Sequence, residues 1–452
     1  MKTGAFTMKC ICCFLIIGAL TGTPVLAAQG VTLPEAVRQA LRNSNLLKAE
    51  QFALQAATAG QDAAKSRYLP RVTLEGSFAA SNSPTRTFMM KLDQGRFTSS
   101  DFLINNLNNP GTGTDFRTAV TLEQTLYDRS VGFEVNIAAK AREERETVQQ
   151  FRREEVTLEV VSSYVTVGRS KAQLGVAEKG VIGAREHLRL AGVRVGAGTG
   201  LKSDELRART FMAEMEEQEI RSRNSLEIAR LRLGKAMGAP AGAAVDISGE
   251  IKPLAMAASR EELLRLALEH RADLRSVEQQ HERAELGVGL ARSAWYPTLH
   301  AGGAVQINDR TVPFGADNNS WYAGAALRWE LFDGMRRSRE EQKAGALQAG
   351  AAEMLEQYKK EVAFQVAESR LRRDEAAKRV EVARCAVGDA EEGLRLVQKR
   401  FEGALATIVE LLDAQTSVNR ARASVIETDA DLVMASAQLA YSAGMLHKEI
   451  AP

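Results

Sequence analysis

One stretch in the second half of the chain decides the fold class. Residues 297–330 read PTLHAGGAVQINDRTVPFGADNNSWYAGAALRWE, with apolar and polar positions alternating at both ends. The alternating apolar positions are Leu299, Ala301, Gly303, Val305 and Ile307, then Trp321, Ala323, Ala325, Leu327 and Trp329. Each run is about 10 residues, the length that a tilted strand needs to cross a bilayer. The stretch therefore predicts a strand pair over about 298–332, with Trp321 and Trp329 in an aromatic membrane girdle.

The same pattern occurs in the first half of the chain. Ser66-Arg67-Tyr68-Leu69-Pro70 aligns with Ser293-Ala294-Trp295-Tyr296-Pro297 at an offset of 227. Leu126-Tyr127-Asp128 aligns with Leu331-Phe332-Asp333 at an offset of 205. The first copy thus carries 22 additional residues inside a predicted strand pair over about 71–126. We expect residues 82–115 to form a long extracellular loop, whose role the sequence leaves open.

This duplication predicts two structural repeats, residues 29–240 and 259–446. A linker, residues 241–258, joins them, and residues 447–452 form a tail. Each repeat is expected to contain an opening helix, a strand pair, a long helix and a shorter helix. Repeats of this length are structural modules of one body rather than units of a short solenoid.

Most of the remaining chain has the pattern of long helices. Residues 129–190 and 335–396 contain no proline and many charges, and apolar residues recur at spacings of three and four. A helix of about 60 residues is roughly 90 Å long. That length favours coiled-coil packing over an ordinary globular domain. Opening helices are predicted over about 33–67 and 260–294, and shorter helices over about 204–237 and 408–445.

The N-terminus has the features of a secretory signal peptide, residues 1–28. Lys2 and Lys9 precede an apolar run too short to span a bilayer, and small residues follow near Ala28. Whether translation starts at Met1 or Met8 is left open. Removing the segment takes the formal charge from +2 to 0, which gives no indication of a nucleic-acid partner.

Four strands cannot close a membrane barrel by themselves, because single-chain barrels begin at about 8 strands. Open strand edges are not tolerated in lipid. If the strands span a membrane, several copies must pool them, and three copies would supply twelve. The predicted fold class is therefore mainly α with membrane β: a shared barrel continued by long helices. A soluble two-stranded ribbon is the alternative interpretation of the strands.

The whole mature chain resembles the outer-membrane efflux proteins, the TolC-like family. The resemblance rests on the opening segment Leu33-Pro34-Glu35-Ala36-Val37, on the strand entries at Pro70 and Pro297, and on two helix-joining turns. These turns are Arg194-Val195-Gly196-Ala197-Gly198 and Arg400-Phe401-Glu402-Gly403-Ala404. The resemblance implies a homotrimer in the outer membrane whose helices form a periplasmic tunnel. It also implies that a periplasmic adaptor and an inner-membrane pump are its partners in efflux or type I secretion.

The resemblance also implies roles for residues near these turns. Arg194, Gly198, Arg400 and Gly403 would belong to the tip turns where the adaptor docks. Asp204, Glu410 and Asp413 look like acidic residues that line the narrowest periplasmic aperture. Six carboxylates from three copies of Glu410 and Asp413 would repel one another and attract cations. Two solvated acids on a helix face are the simpler alternative.

The tip departs from the pattern of the best-known family member at two positions. Phe401 and Ala406 stand where that pattern has a tyrosine and an arginine that tether neighbouring helices. Neither side chain can make the tethering hydrogen bond or ion pair. We therefore expect a less tightly locked tip. The glycine of the second turn, Gly403, comes one place earlier than Gly198 does in the first, which leaves that turn's geometry open.

Nothing in the sequence indicates an enzyme. The five histidines are scattered, no His/Cys cluster has metal-ligand spacing, and no phosphate-binding loop is present. We expect no cofactor and no metal site. Two other classes remain as alternatives to an outer-membrane channel: a periplasmic adaptor and a coiled-coil structural protein of the envelope. Neither accounts for two tandem copies that each carry a strand pair. The exported substrate and the pump class are left open.

Overall fold

The computed structural model describes residues 30–249, 251–256 and 258–450. The predicted signal peptide and the last two residues of the predicted tail lie outside this part of the chain. The first half contains α1 (Leu33–Asn43), α2 (Asn45–Lys65), β1 (Arg71–Ser81), α3 (Pro84–Asp93), α4 (Ile104–Asn108), β2 (Gly113–Tyr127), α5 (Arg129–Gly196) and α6 (Lys202–Ala236). The second half contains α7 (Arg260–His270), α8 (Ala272–Ser293), β3 (Thr298–Asp309), β4 (Asn318–Arg328), α9 (Arg336–Glu402), α10 (Ile408–Ser442) and α11 (Leu446–Ile450).

The two long helices set the dimensions of the molecule. α5 has 68 residues and α9 has 67, so each is roughly 100 Å long at 1.5 Å per residue. α5 folds back on α6 and α9 on α10, and each pair packs along its length. Ion pairs such as Arg422–Glu391 at 2.6 Å and Arg379–Asp431 at 3.0 Å link α10 to α9. No helix in the described ranges contains a stretch that is both apolar and long enough to cross a membrane.

Each opening helix is divided in two, where the sequence pattern predicts one continuous helix. The first breaks at Ser44, whose ψ of 119° leaves the helical region and whose hydroxyl accepts a hydrogen bond from the Leu47 amide. A serine at this position caps the following helix. The second breaks at Arg271, whose buried guanidinium pairs with Asp273 at 2.6 Å. The break lets this arginine reach the α10 backbone at Ser442.

A core near the middle of the long helices joins the two repeats. Its buried side chains come from α1, α2, α5 and α6 of the first half, from Ile247 between the repeats, and from α10 and α11 of the second half. Tyr164 lies at its centre, and the hydroxyl is within 3.0 Å of the Val31 carbonyl and 2.7 Å of the Ser248 carbonyl. Val31 also forms a parallel bridge with Ile247. This tyrosine therefore fixes the start of the first repeat against the segment between the repeats.

The four strands form one antiparallel sheet in the order β1-β2-β3-β4. The β2–β3 pairing joins the two repeats, with Val120 opposite Val305. Large apolar side chains project from one face, and polar or small ones occupy the other. The exposed apolar face contains Val72, Leu74, Phe78, Val120, Leu122, Val305, Trp321 and Leu327. The outer edges of β1 and β4 have no strand partner in the described part of the chain.

The strand boundaries differ from the predicted ones at two places. β4 ends at Arg328, so Trp329 lies one residue beyond the strand rather than at its end. Its indole nitrogen donates to the Trp295 carbonyl at 3.1 Å, whereas Trp321 is 77% exposed within β4. The second difference lies in residues 82–115, where a loop was expected. This segment contains α3, α4 and a short 3-10 helix, and β2 begins within it at Gly113.

Candidate functional site at the helix-joining turns

Both turns between a long and a short helix have the same backbone geometry. In the first, Gly198 has a φ of +75°, its amide donates to Val195, and the Thr199 amide donates to Arg194 at 3.0 Å. The second turn makes the equivalent bonds to the Phe401 and Arg400 carbonyls. This is the Schellman arrangement, which satisfies the last carbonyls of a helix. The two turns therefore end α5 and α9 in the same way.

The left-handed residue of the second turn is Ala404, not Gly403. Ala404 has a φ of 60°, whereas Gly403 has a φ of −80°, which any residue adopts. An L-residue with a side chain is disfavoured there by about 1 kcal/mol or more. Gly403 therefore comes one residue before the left-handed position, where a glycine would have avoided this cost. The Arg400 guanidinium donates to the Leu405 carbonyl at 3.2 Å and closes the turn from outside.

Arg194 connects the first turn to the second. Its guanidinium carbon lies 4.1 Å from the centroid of the Phe401 ring, and one of its nitrogens donates to the Phe401 carbonyl. The ring is 3% exposed and packs with Ala191, Ala208, Ile408 and Leu411. Phe401 therefore takes part in a contact between the two hairpins, through its ring face and its backbone.

The three acidic residues predicted at the aperture lie in two different environments. Asp204 is half-buried and lines a cavity of about 400 Å³ between the two turns, together with Arg194, Arg207, Phe401 and Ala406. Glu410 and Asp413 are exposed on the first turns of α10, outside that cavity. One protomer therefore brings Phe401, Ala406 and Asp204 together but keeps the other two acids apart from them.

Glu410 also has a structural role at the start of α10. Its carboxylate accepts from the Thr407 amide at 3.3 Å, and the Thr407 hydroxyl accepts from the Glu410 amide at 3.3 Å. This reciprocal pair is a capping box. A carboxylate held this way is fixed at the helix start rather than free to move, which places its charge beside the turn.

A buried histidine near the turns was missed by sequence reasoning. His187 of α5 is 3% exposed, and its Nε2 lies 3.2 Å from the Gln415 amide oxygen on α10. Gln415 in turn donates to Asn419 at 3.0 Å. Burial lowers the pKa of His187, against the smaller opposing effect of Gln415. The one available signal was its place on the apolar stripe of α5. In the described ranges, no three His, Cys, Asp or Glu side chains cluster to hold a metal ion.

The described chain contains two helical hairpins in tandem, each preceded by a strand pair. The sequence profile of the outer membrane efflux protein family matches residues 36–239 and 263–445. The chain belongs to this family. The resemblance predicted from the sequence is confirmed. As an outer membrane efflux protein, the chain is a non-enzymatic protein of the outer membrane.

The chain is also similar to an individual protein: it is 24% identical over 286 residues to nodulation protein T of Rhizobium leguminosarum bv. trifolii. That match covers 59% of this chain and 58% of the relative, so it spans little more than half of the relative's length.

Three solved structures share its fold. A membrane protein from Pseudomonas aeruginosa has a TM-score of 0.78 at 18% identity, covering 91% of this chain and 93% of that one. VceC from Vibrio cholerae has a TM-score of 0.75 at 17% identity, covering 91% and 96%. The open state of the Neisseria gonorrhoeae MtrE outer membrane channel has a TM-score of 0.74 at 16% identity, covering 92% and 89%. The predicted fold, long helices with four antiparallel strands per chain, is confirmed.

Proposed function

We propose that three copies of this chain form the exit duct of a tripartite efflux or type I secretion system. Each copy contributes its four strands to a twelve-stranded barrel in outer-membrane lipid. The paired hairpins of the three copies form a periplasmic tunnel. A periplasmic adaptor docks at the tip turns, around Arg194, Gly198, Arg400 and Gly403, and connects the tunnel to an inner-membrane pump. In this proposal the pump supplies the energy for transport.

The observation that carries the proposal is the open sheet. Its apolar face is exposed, and β1 and β4 each leave one edge of backbone donors and acceptors unpaired in the described chain. Each such group costs several kcal/mol in lipid. Pairing β4 of one copy with β1 of the next removes every edge when the ring closes. A cyclic homo-oligomer is the common solution to such a requirement.

The helices support the same assembly. α9 exposes a row of large apolar side chains: Leu347, Met354, Phe364, Leu371 and Val382, each 61–70% exposed. The seven-residue intervals from Leu347 to Met354 and from Phe364 to Leu371 are those of a coiled-coil seam. α6 exposes Leu206 and Ile220 on its own surface. α6 has 35 residues and begins at the tip turn, so it reaches the level of Leu371 and Val382 but not that of Leu347 or Met354. Because α6 and α9 each lie at one side of the four-helix group, we infer that the tip half of α9 packs against α6 of the next copy.

The acidic residues near the tip turns give the proposed channel a preference for cations. Three copies of Glu410 and Asp413 place six carboxylates around one axis, and Asp204 adds three more nearby. Rings of Asp and Glu side chains select cations in pores. The proposed duct therefore favours cations at its narrowest point.

The test is to purify the mature protein and compare an unheated with a heated sample by gel electrophoresis, then insert it into planar bilayers. We expect an oligomer of three chains that dissociates on heating, and discrete conductance steps after insertion. A protein that remains monomeric and does not insert would contradict the proposal. That result would favour a periplasmic adaptor or a structural protein of the envelope.

A further inference from the structure

The segment that the first repeat carries in addition is folded rather than extended. α3 packs on β2 and β4. The Phe97 ring lies 4.4 Å from that of Phe88 and 5.0 Å from that of Phe102. Lys91 pairs with Asp101 at 2.6 Å, and this hydrogen bond is the main cause that lowers the pKa of Asp101 to about 2. Residues 82–112 therefore form a compact unit with its own small apolar cluster.

Strand register identifies the sheet face on which this unit lies. Asn308 is opposite Arg117 in the β2–β3 pair and opposite Asn318 in the β3–β4 pair. Asp115 precedes Arg117 by two residues, so it shares that face. Asp115, Asn308 and Asn318 therefore project from the polar face. The opposite, apolar face carries Val305 and Trp321.

The unit is attached to these three polar-face residues by hydrogen bonds. The Gln94 amide nitrogen donates to the Asp115 carboxylate at 2.9 Å and to the Thr114 carbonyl at 2.8 Å. Asn308 donates to the other oxygen of Asp115 at 2.9 Å. Asn318 donates to the carbonyl of Asp93, the last residue of α3, at 3.0 Å. Gln94 and Asn308 are each 2% exposed, so the attachment is buried and costly to leave unpaired.

This end of the sheet is the one far from the long helices. β1 leaves α2 at Arg71 and reaches the unit at Ser81, and α9 begins after β4 has returned. In an outer-membrane protein with periplasmic helices, Ser81 and Gly113 therefore lie at the outer mouth. If the apolar face meets lipid, the polar face lines the lumen, and a unit attached to that face lies inside the mouth.

We propose that residues 82–112 form a size-selecting constriction at the outer mouth of the channel. The proposal rests on the proposed trimer, which places three such units around one axis. The unit leaves Phe102, Leu103 and Ile104 between 60% and 76% exposed. In the trimer, these apolar surfaces pack against the equivalent units of the other two copies, because the shared barrel brings the three units together at one mouth. The channel then has an outer limit on cargo size that is separate from its periplasmic tip.

The test measures access from outside to a cysteine placed below the constriction. Cys385, the free cysteine of the described chain, is first replaced by serine. Ala326→Cys lies on the polar face opposite His300, and Ala325→Cys on the lipid face serves as the matched control. Intact cells are treated with a small charged maleimide or with a long polyethylene-glycol maleimide. We expect Ala326→Cys to react with the small reagent only, and Ala325→Cys to react with neither.

The same labelling is then repeated after the constriction is removed. Ser81 and Gly113 are already paired across β1 and β2, so an Asn-Gly turn can replace residues 82–112 and close the hairpin. We expect the long reagent to react with Ala326→Cys in this variant. A milder variant, Gln94→Ala with Asn318→Ala, should also admit the long reagent. Asn319→Ala, on the opposite face of β4, should not.

Two results would overturn the constriction. One is equal reaction of the long reagent with the full chain and with the shortened chain. The other is exclusion of the long reagent from both. Unheated gel electrophoresis of each variant reports the trimer independently. A normal trimer with an open mouth would therefore reject the constriction alone, whereas loss of the trimer in the full chain would reject the proposed function.

Discussion

Arg194 and Phe401 are 207 residues apart in sequence, and the guanidinium carbon of the first lies 4.1 Å from the ring centroid of the second. The arginine also donates a hydrogen bond to the phenylalanine carbonyl. A cation over an aromatic face stabilises a contact by about 0.5–2 kcal/mol. The pair links the first helix-joining turn to the second, so the tip of a protomer moves as one body while the pair persists.

Replacing Arg194 with alanine should loosen the tip. The variant loses both the ring contact and the hydrogen bond, and we expect a larger single-channel conductance. Arg207→Ala is the control, because Arg207 lines the same cavity and makes no hydrogen bond or ion pair with the described residues. Equal conductance changes in the two variants would mean that lost positive charge, not the Arg194–Phe401 contact, is responsible.

The double variant Phe401→Tyr with Ala406→Arg should tighten the tip. Ala406 lines the cavity that Asp204 also lines, so an arginine there adds a positive charge near this carboxylate. We expect lower conductance and less frequent opening in planar bilayers. Unchanged gating would argue against a tip that lacks these tethers.

Neutralising the acids of α10 should weaken cation selectivity. Glu410→Gln with Asp413→Asn removes six charges from the proposed trimer while the glutamine keeps the capping box with Thr407. We expect the reversal potential in a salt gradient to move toward zero. Glu410→Ala would also remove the capping-box bond to the Thr407 amide, which makes it the poorer variant. A reversal potential that does not move would place the aperture elsewhere.

Ala404→Gly should stabilise the second turn by about 1 kcal/mol, because glycine adopts a positive φ without strain. The measurement is the Tm of the trimer, which should rise. Gly198→Ala, at a φ of +75°, should lower it by a similar amount. Gly403→Ala should be tolerated, since φ is −80° and an added Cβ would lie 3.6 Å from the Lys399 carbonyl. A lower Tm for Ala404→Gly would contradict the assigned geometry.

Acidification should weaken the contact between α5 and α10. Burial lowers the pKa of His187 below its ordinary value of 6.5, so the unfolded state binds a proton more readily than the native one. Its contribution to stability is therefore complete above pH 6.5 and declines as the pH falls below it. Glu186, paired with Arg189 on the same helix, is the charged group that acts on it, and α10 presents the neutral Gln415.

The measurement is the Tm as a function of pH for the native chain and for His187→Gln. The Tm of His187→Gln should fall less at acid pH than the Tm of the native chain. The Tm of His270→Gln, a control in α7, should fall as much as that of the native chain. An identical pH profile for the native chain and His187→Gln would show that this histidine does not couple to stability.

The amino-acid sequence by itself determined the long helices, the four strands, the duplication and the family. These features follow from period and spacing, which are properties of neighbouring residues. Period two over residues 298–307 and 321–327 predicted both sheet faces, because side chains of a strand alternate whatever they contact. The motif Arg-x-Gly-x-Gly likewise marked the first turn, because a left-handed residue favours glycine.

Only the tertiary structure decided which distant residues meet. The contact of Arg194 with the Phe401 ring joins residues 207 positions apart in the chain. Ala404 accepts the left-handed conformation because the hydrogen bonds of the whole turn require it, although Gly403 is beside it. The burial of His187 and the attachment of Gln94 to Asp115 depend on packing between elements far apart in the chain. Such contacts produce no periodic pattern in the sequence, because they join residues that come together only when the elements have packed.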